Sequence, residues 1–478
     1  MKRKQLKHFF LLAILIAATG AAMAYSSKTS NGFFLTRDSG SSPNSLWPDK
    51  IISVSGHLIQ DKVLLGSSGT VGLNLTLQAE EATVPGNGEV RNVDMVIVLD
   101  RSGSMKGSKI ENARRAVLNL LSDLSSKDRF ALVTYADGVH IASGLLNVTD
   151  VNRTHMVSAV KSLRVGGGTN LGAGLQAGIN ILKSVNHETN AAAKVILISD
   201  GLANKGITDI KSLGAIAGVA VNEEFAVSTV GVGVDFDEYL MTAIADRGTG
   251  SYYYLENPSA FADIFRKEFY HTRTATVTNL KVAIPMKNGV VLTDAAGYPV
   301  SKQNGNAVFY PGNLRPGQTR NLFLTLQVPT AGKRIFELDN IKIHYRHNNR
   351  DDETTLDESF KIACIKDKKK VYSSIDKKSW SEKSLNEDYN RLKQEVAADI
   401  KVGKKQEALD KISKYYEEQE AANSVIRSRE VAEHLDNDLN KLRIFVKDTF
   451  RGTPAAVEQK QKSNAKALQY EGYSGRRQ

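Results

Sequence analysis

Residues 93–105 read VDMVIVLDRSGSM, an apolar run that ends in Asp100, Ser102 and Ser104 spaced D-x-S-x-S. A run of this kind without polar alternation marks a strand buried on both faces, as in the parallel sheet of an α/β domain. Its tip puts one carboxylate and two hydroxyls on a single short loop, three hard oxygen ligands of the type an Mg²⁺-like ion takes. By itself the triplet arises by chance in roughly one chain in ten of this length. Two later stretches add to it: GGGTNLGAGL at 166–175, which carries Thr169, and VILISDG at 195–201, which carries Asp200.

The surrounding residues, 93–271, keep one grammar. Continuous apolar strands are expected at 95–99, 130–135, 195–199 and 227–232, with amphipathic helices between them, for instance through Ile110, Ala113, Val117, Leu120 and Leu124. Such an alternation predicts a doubly wound, mostly parallel sheet covered by helices on both faces. Ser108 and Glu111 read as a capping box that starts the first helix. The apolar run at 139–142 follows its predecessor after only Ala136-Asp137-Gly138, a link that allows an antiparallel hairpin and no crossover. In an open sheet of this class, ligands bind outside the carboxyl ends of the strands. Asp100 and Asp200 each close a strand, and Thr169 sits in a Gly-rich loop just before a helix, so the three loops can open on one edge.

At this point the chain resembles the von Willebrand factor A family, which includes the inserted domain of integrins. The resemblance rests on D-x-S-x-S after a buried strand, the Gly-rich loop with Thr, S-D-G after a later strand, and GSYYYLENP at 250–258. It implies a metal-ion-dependent adhesion site made of Asp100, Ser102, Ser104, Thr169 and Asp200, none of them substituted. It implies further that Ser102, Ser104 and Thr169 hold a divalent ion directly while the aspartates act partly through water. Neutral hydroxyls leave much of the ion's charge unquenched, so a Glu or Asp carboxylate of a partner protein can complete the shell. Mg²⁺ is the expected ion; Mn²⁺ and Ca²⁺ stay open.

The flanks divide further. Residues 1–24 have a basic start, an apolar stretch and a small-x-small end at Ala22-Met23-Ala24, the pattern of a cleaved signal peptide. Residues 25–50 read as a polar linker. Period-two strands at 51–92, such as Val71, Leu73, Leu75 and Leu77, are expected to join a β-sandwich at 272–366, leaving the α/β domain inserted within or flanked by it. A helical hairpin or bundle is expected at 380–450. The tail at 451–478 lacks apolar periodicity and reads as disordered.

The chain has one cysteine, Cys364, so no intramolecular disulfide can form. Its net charge of +11 comes from 63 Lys and Arg against 52 Asp and Glu. No aromatic-interleaved basic patch accompanies that surplus, which argues against nucleic acid and for loose attraction to acidic envelope surfaces. No run beyond the leader is apolar enough to span a membrane. Ser102 and Ser104 lie in no nucleophile elbow, His140, His155 and His187 have no triad or metal spacing, and GGGTNLGAGL and VGVGVDF lack the features of phosphate or dinucleotide loops. The expectation is an exported bacterial binding protein, periplasmic or secreted, with no enzymatic activity. The alternative is an envelope scaffold or assembly cofactor for a separate enzyme, with a structural metal.

Overall fold

The computed structural model describes residues 51–81, 91–184, 191–223, 225–348 and 350–477. The leader and linker expected at 1–50, and His187, lie outside them. Three strands come first: β1 (Ile52–Leu58), β2 (Lys62–Leu64) and β3 (Thr70–Ala79). The α/β unit follows as β4 (Val93–Asp100), α1 (Ser108–Asp123), β5 (Arg129–Tyr135), β6 (Val139–Asn147), α2 (Asp150–Lys161) and α3 (Leu171–Lys183). It continues through β7 (Ala192–Ser199), α4 (Ile210–Asn222), β8 (Phe225–Val232), α5 (Glu238–Arg247), β9 (Thr249–Leu255) and α6 (Phe261–Thr274).

The sheet of this unit has the order β6-β5-β4-β7-β8-β9. Every pairing is parallel except β5 with β6, the hairpin that the three-residue link requires. β4 is buried along its whole length. Met95, Ile97 and Leu99 pack with Val117 of α1 and Phe265 of α6, while Val96 and Val98 pack with Leu175 of α3 and Leu213 of α4. The alternation of the strand thus serves two apolar cores, which is why its sequence shows no polar period. The chain leaves β4 towards β5 on one side and returns to β7 on the other, so the switch point lies at the carboxyl ends of β4 and β7.

The capping box is not formed. Gly107, at φ 83°, occupies the N-cap position, Ser108 is already helical, and Glu111 pairs with Arg114. A positive φ at the helix entry is cheap only for glycine, and it turns Ser108 past the point where its hydroxyl could cap.

The remaining strands are β10 (Thr278–Pro285), β11 (Val291–Ala295), β12 (Ser301–Gln303), β13 (Asn306–Phe309), β14 (Thr319–Gln327), β15 (Ile335–Leu338), β16 (Lys342–His347), β17 (Arg350–Thr355) and β18 (Phe360–Ile365). They make a sheet β1-β3-β14-β11, a sheet β12-β13-β10-β16-β17 and a small sheet β15-β18-β2. Leu73 and Leu75 of β3 lie opposite Leu324 and Leu322 of β14. The same apolar core takes in Val282 and Ile284 of β10, Phe309 of β13, Ile343 of β16 and the buried Cys364. Strands before and after the α/β unit therefore share one sheet, and the unit is an insertion between β3 and β10.

The C-terminal region comprises α7 (Lys368–Tyr372), α8 (Lys377–Glu382), a π-helical turn (Lys383–Asp388), α9 (Tyr389–Lys401), α10 (Lys405–Ile426), α11 (Arg429–Thr449) and α12 (Pro454–Gly475). Here the reading of 451–478 as disordered is corrected. Thr453 caps α12, Pro454 takes its first turn, and Ala465, Leu468, Gln469, Gly472 and Tyr473 are buried. Those positions do recur at helical spacing, but glycine, alanine and glutamine hide the period from a search for large apolar residues. The absent side chain of Gly472 lets α12 meet α9, since a Cβ there would lie 2.5 Å from the Asn390 carbonyl oxygen. On its other side α12 covers the edge strand β9, where the Tyr252 N–H donates to the Tyr473 hydroxyl at 3.2 Å.

Candidate metal centre

Three loops meet at the carboxyl edge of the sheet. The loop after β4 holds Asp100, Ser102 and Ser104; the loop before α3 holds Thr169; the loop after β7 opens with Asp200. Backbone hydrogen bonds join them: Gly103 N–H to the Gly167 carbonyl at 3.2 Å, Gly166 N–H to the Arg101 carbonyl at 2.9 Å, and Asn204 N–H to the Thr169 carbonyl at 3.1 Å. The Asn204 side chain accepts from the Thr169 N–H at 2.9 Å. Gly167, at φ 87°, sits where a Cβ would lie 2.4 Å from an Asp137 oxygen, so the turn that presents Thr169 needs glycine there.

All five oxygen-bearing residues expected at the site come together. The Ser102 and Ser104 hydroxyls are 3.0 Å apart, and Ser104 donates to Asp200 Oδ1 at 2.7 Å. A Cβ built on Gly201 would lie 3.4 Å from Ser104 Oγ and 3.6 Å from Thr169 Oγ1, so both hydroxyls converge beside that glycine. Asp100 accepts from the Ser102 N–H at 2.8 Å and from Ser199 Oγ at 2.9 Å. Asp100 and Asp200 are fully buried, Ser102 and Thr169 nearly so, and Ser104 is exposed. Burial pushes the Asp100 carboxyl up to about 6; the hydrogen bonds from Ser102 and Ser199 oppose the rise, and the nearby Asp200 adds to it. The set is all oxygen, two carboxylates and three hydroxyls, which fits a hard divalent cation and offers nothing to a soft one. Among the described residues no group of three or more His, Cys, Asp or Glu could hold a metal.

The family profile of the von Willebrand factor type A domain matches residues 94–267. The chain carries a von Willebrand factor type A domain. An uncharacterised protein of Synechocystis sp. is 28% identical over 264 residues, 53% of this chain and 61% of that protein. Inter-alpha-trypsin inhibitor heavy chain H1 of Sus scrofa is 31% identical over 176 residues, 35% of this chain but 20% of its own length. The chain thus spans less than two thirds of either curated relative. Among solved structures, a von Willebrand factor type A protein from Catenulispora acidiphila superposes with a TM-score of 0.63 at 17% identity, covering 88% of this chain and 96% of that one. The ArnB paralog VWA2 from Sulfolobus acidocaldarius gives 0.55 at 18%, covering 87% and 99%. Those likenesses extend the shared fold beyond the A domain to most of the chain.

Around the A domain's site stand residues that sequence reasoning missed. Lys109 Nζ contacts Asp200 Oδ2 at 2.5 Å, and Ser199 anchors Asp100 from behind. Ser199 was visible in S-D-G; Lys109 had no motif to mark it. Asp137 pairs with Lys205 and accepts from the Gly168 N–H, Asp235 lies 3.7 Å from Lys462, and Asp237 caps α5. Each of those three carboxylates is thus engaged by a donor or cation of the protein itself. His140 and His155 are exposed. Tyr252 and Tyr253 are buried and Tyr254 half-buried, which places that run in the core under α12. Leu202, two residues after Asp200, and Ile207 are exposed on the loop beside the site.

Proposed function

We propose that the A domain holds a divalent cation, Mg²⁺ first among the candidates, through Ser102, Ser104, Thr169, Asp100 and Asp200, and uses it to capture a Glu or Asp carboxylate of a partner protein. The observation that carries this reading is the convergence of these oxygen groups at the switch point of the sheet, where such folds bind ligands. When bound, the ion supplies a positive charge with open coordination positions. The five oxygen groups of the chain would hold it, while exposed Leu202 and Ile207 offer apolar contact to whatever surrounds the partner's carboxylate.

The protein acts in this reading as an exported, non-enzymatic binding component of a bacterial envelope. Its leader-like first 24 residues support export, and no helix among the described residues is long and apolar enough to cross a membrane. Among the described residues the Ser102 and Ser104 hydroxyls bond to each other and to Asp200, with no imidazole among those partners to act as a base. A scaffold role with a structural metal is the second reading. It draws on the fact that every carboxylate oxygen of Asp100 and Asp200 already has a donor within the protein.

Mg²⁺ is expected to raise the melting temperature of the wild type and leave Asp100→Ala unmoved; equal shifts in both would overturn the site. Capture of an envelope protein that EDTA abolishes and Mg²⁺ restores would separate adhesion through the ion from the scaffold reading.

A further inference from the structure

We propose that Lys109 is a resident cation that sets the metal site to low intrinsic affinity, so that the divalent ion is held firmly only once an anionic ligand joins it. The proposal rests on the metal reading above. Three of the four carboxylate oxygens of Asp100 and Asp200 take neutral donors: the Ser102 N–H, Ser199 Oγ and Ser104 Oγ. The fourth, Asp200 Oδ2, takes the Lys109 ammonium at 2.5 Å. Asp200 is fully buried and the Lys109 side chain is only 24% exposed, so the pair is poorly screened by solvent.

The placement is built into the fold. Lys109 leaves the first turn of α1, which follows the D-x-S-x-S loop directly, and its end lies over Gly233 just beyond β8. That glycine has φ 72°, and a Cβ on it would lie 3.4 Å from Lys109 Cε and 3.5 Å from Nζ. The VGVGVDF stretch, which fits no phosphate or nucleotide loop, thereby has a part in the site: it leaves room for a lysine.

Two aspartates offer an ion two negative charges, and Lys109 cancels one of them. The three hydroxyls add none. Repulsion between a divalent ion and an ammonium that share one carboxylate weakens binding by about tenfold even at a water-like dielectric, and by more in a buried site. A ligand carboxylate restores the missing charge. By linkage, it tightens the ion as much as the ion tightens it.

The test is calorimetric titration of Mn²⁺ into the EDTA-stripped full chain as wild type, Lys109→Met, Lys109→Arg and Asp100→Ala. Lys109→Met is expected to bind Mn²⁺ about tenfold more tightly or better, Lys109→Arg like the wild type, and Asp100→Ala not at all. A purely structural lysine would give no gain in affinity. Unchanged or weaker binding by folded Lys109→Met, with the wild type binding, overturns the proposal and leaves the metal reading intact. No Mn²⁺ binding by either protein overturns both. Should Lys109→Met not fold, Lys109→Gln answers the same question. A second measurement uses acetate as a stand-in carboxylate: it should tighten Mn²⁺ binding more in the wild type than in the lysine variant, and equal effects would count against the proposal.

Discussion

Gly178 sits on α3 where a Cβ would lie 2.4 Å from Val98 Cγ2 of the central strand, and a Cβ on Gly174 one turn earlier would lie 2.6 Å from the Tyr135 ring. Both belong to the stretch whose loop end presents Thr169, so the helix that aims the hydroxyl rests directly on the sheet. Two effects compete in Gly178→Ala. Helix propensity favours alanine by about 1 kcal/mol. Overpacking against a fully buried strand costs about 1–3 kcal/mol, and Val98 is itself fully buried. The second wins, so urea unfolding of Gly178→Ala is expected at a lower midpoint; a midpoint above the wild type would mean the helix can lift from the sheet. At this scale the sequence displayed the five oxygen residues because their spacing is local to three loops. Lys109 and Asn204 were illegible, because each reaches the site from a position whose meaning depends on where the folded chain carries it.

Elements were legible in proportion to how apolar their buried faces are. β4, β7 and β8 could be placed from continuous apolar runs, whereas α12 buries Gly472, Gln469 and Lys466, residue types that mask its period. The helix α6 shows a related limit, since its amphipathic face can be read but not the charges it meets. On that helix His271 faces Arg315 from the sandwich, Lys194 from β7, and Lys267 and Glu268 of its own helix. Burial first, then Arg315, lowers its pKa to about 4 from the ordinary 6.5, with Glu268 opposing. The unfolded chain therefore takes up a proton at this residue near pH 6.5, while the folded chain resists until about 4. Stability rises with pH wherever the unfolded state binds more protons, so the contribution is present above 6.5 and is lost as pH falls towards 4. Melting temperatures of the wild type and His271→Gln should accordingly draw together, or cross in favour of the variant, between pH 7 and pH 4.5. A difference constant with pH would show that the imidazole is not held neutral.

On the scale of the whole chain, the insertion of the A domain between β3 and β10 leaves it joined to the sandwich by two covalent links, and the C-terminal end of the chain adds a noncovalent third. Arg477 contacts Asp246 of α5 at 2.5 Å, donates to the Gly297 carbonyl at 2.8 Å, and stacks over the Tyr298 and Tyr473 rings at 4.1 and 4.2 Å. Its neighbour Arg476 contacts Asp294 of the sandwich and Glu387 of the helical region, each at 2.5 Å. Two adjacent arginines thus hold carboxylates from three parts of the fold, all in places with little access to water. A buried pair adds little over an apolar substitute, but a buried charge left alone is costly. Arg477→Met leaves Asp246 without its partner, and burial already pushes that carboxyl upward against the pull of the arginine. The expected loss is about 3–5 kcal/mol, read as a lower melting temperature in calorimetry. Adding Asp246→Asn to Arg477→Met removes the stranded charge and should recover much of that loss, although the single Asp246→Asn would itself strand the arginine. If the double variant were no more stable than Arg477→Met, the cost would come from lost stacking on Tyr298 and Tyr473, and the ion pair would have no part in holding the A domain to its neighbours.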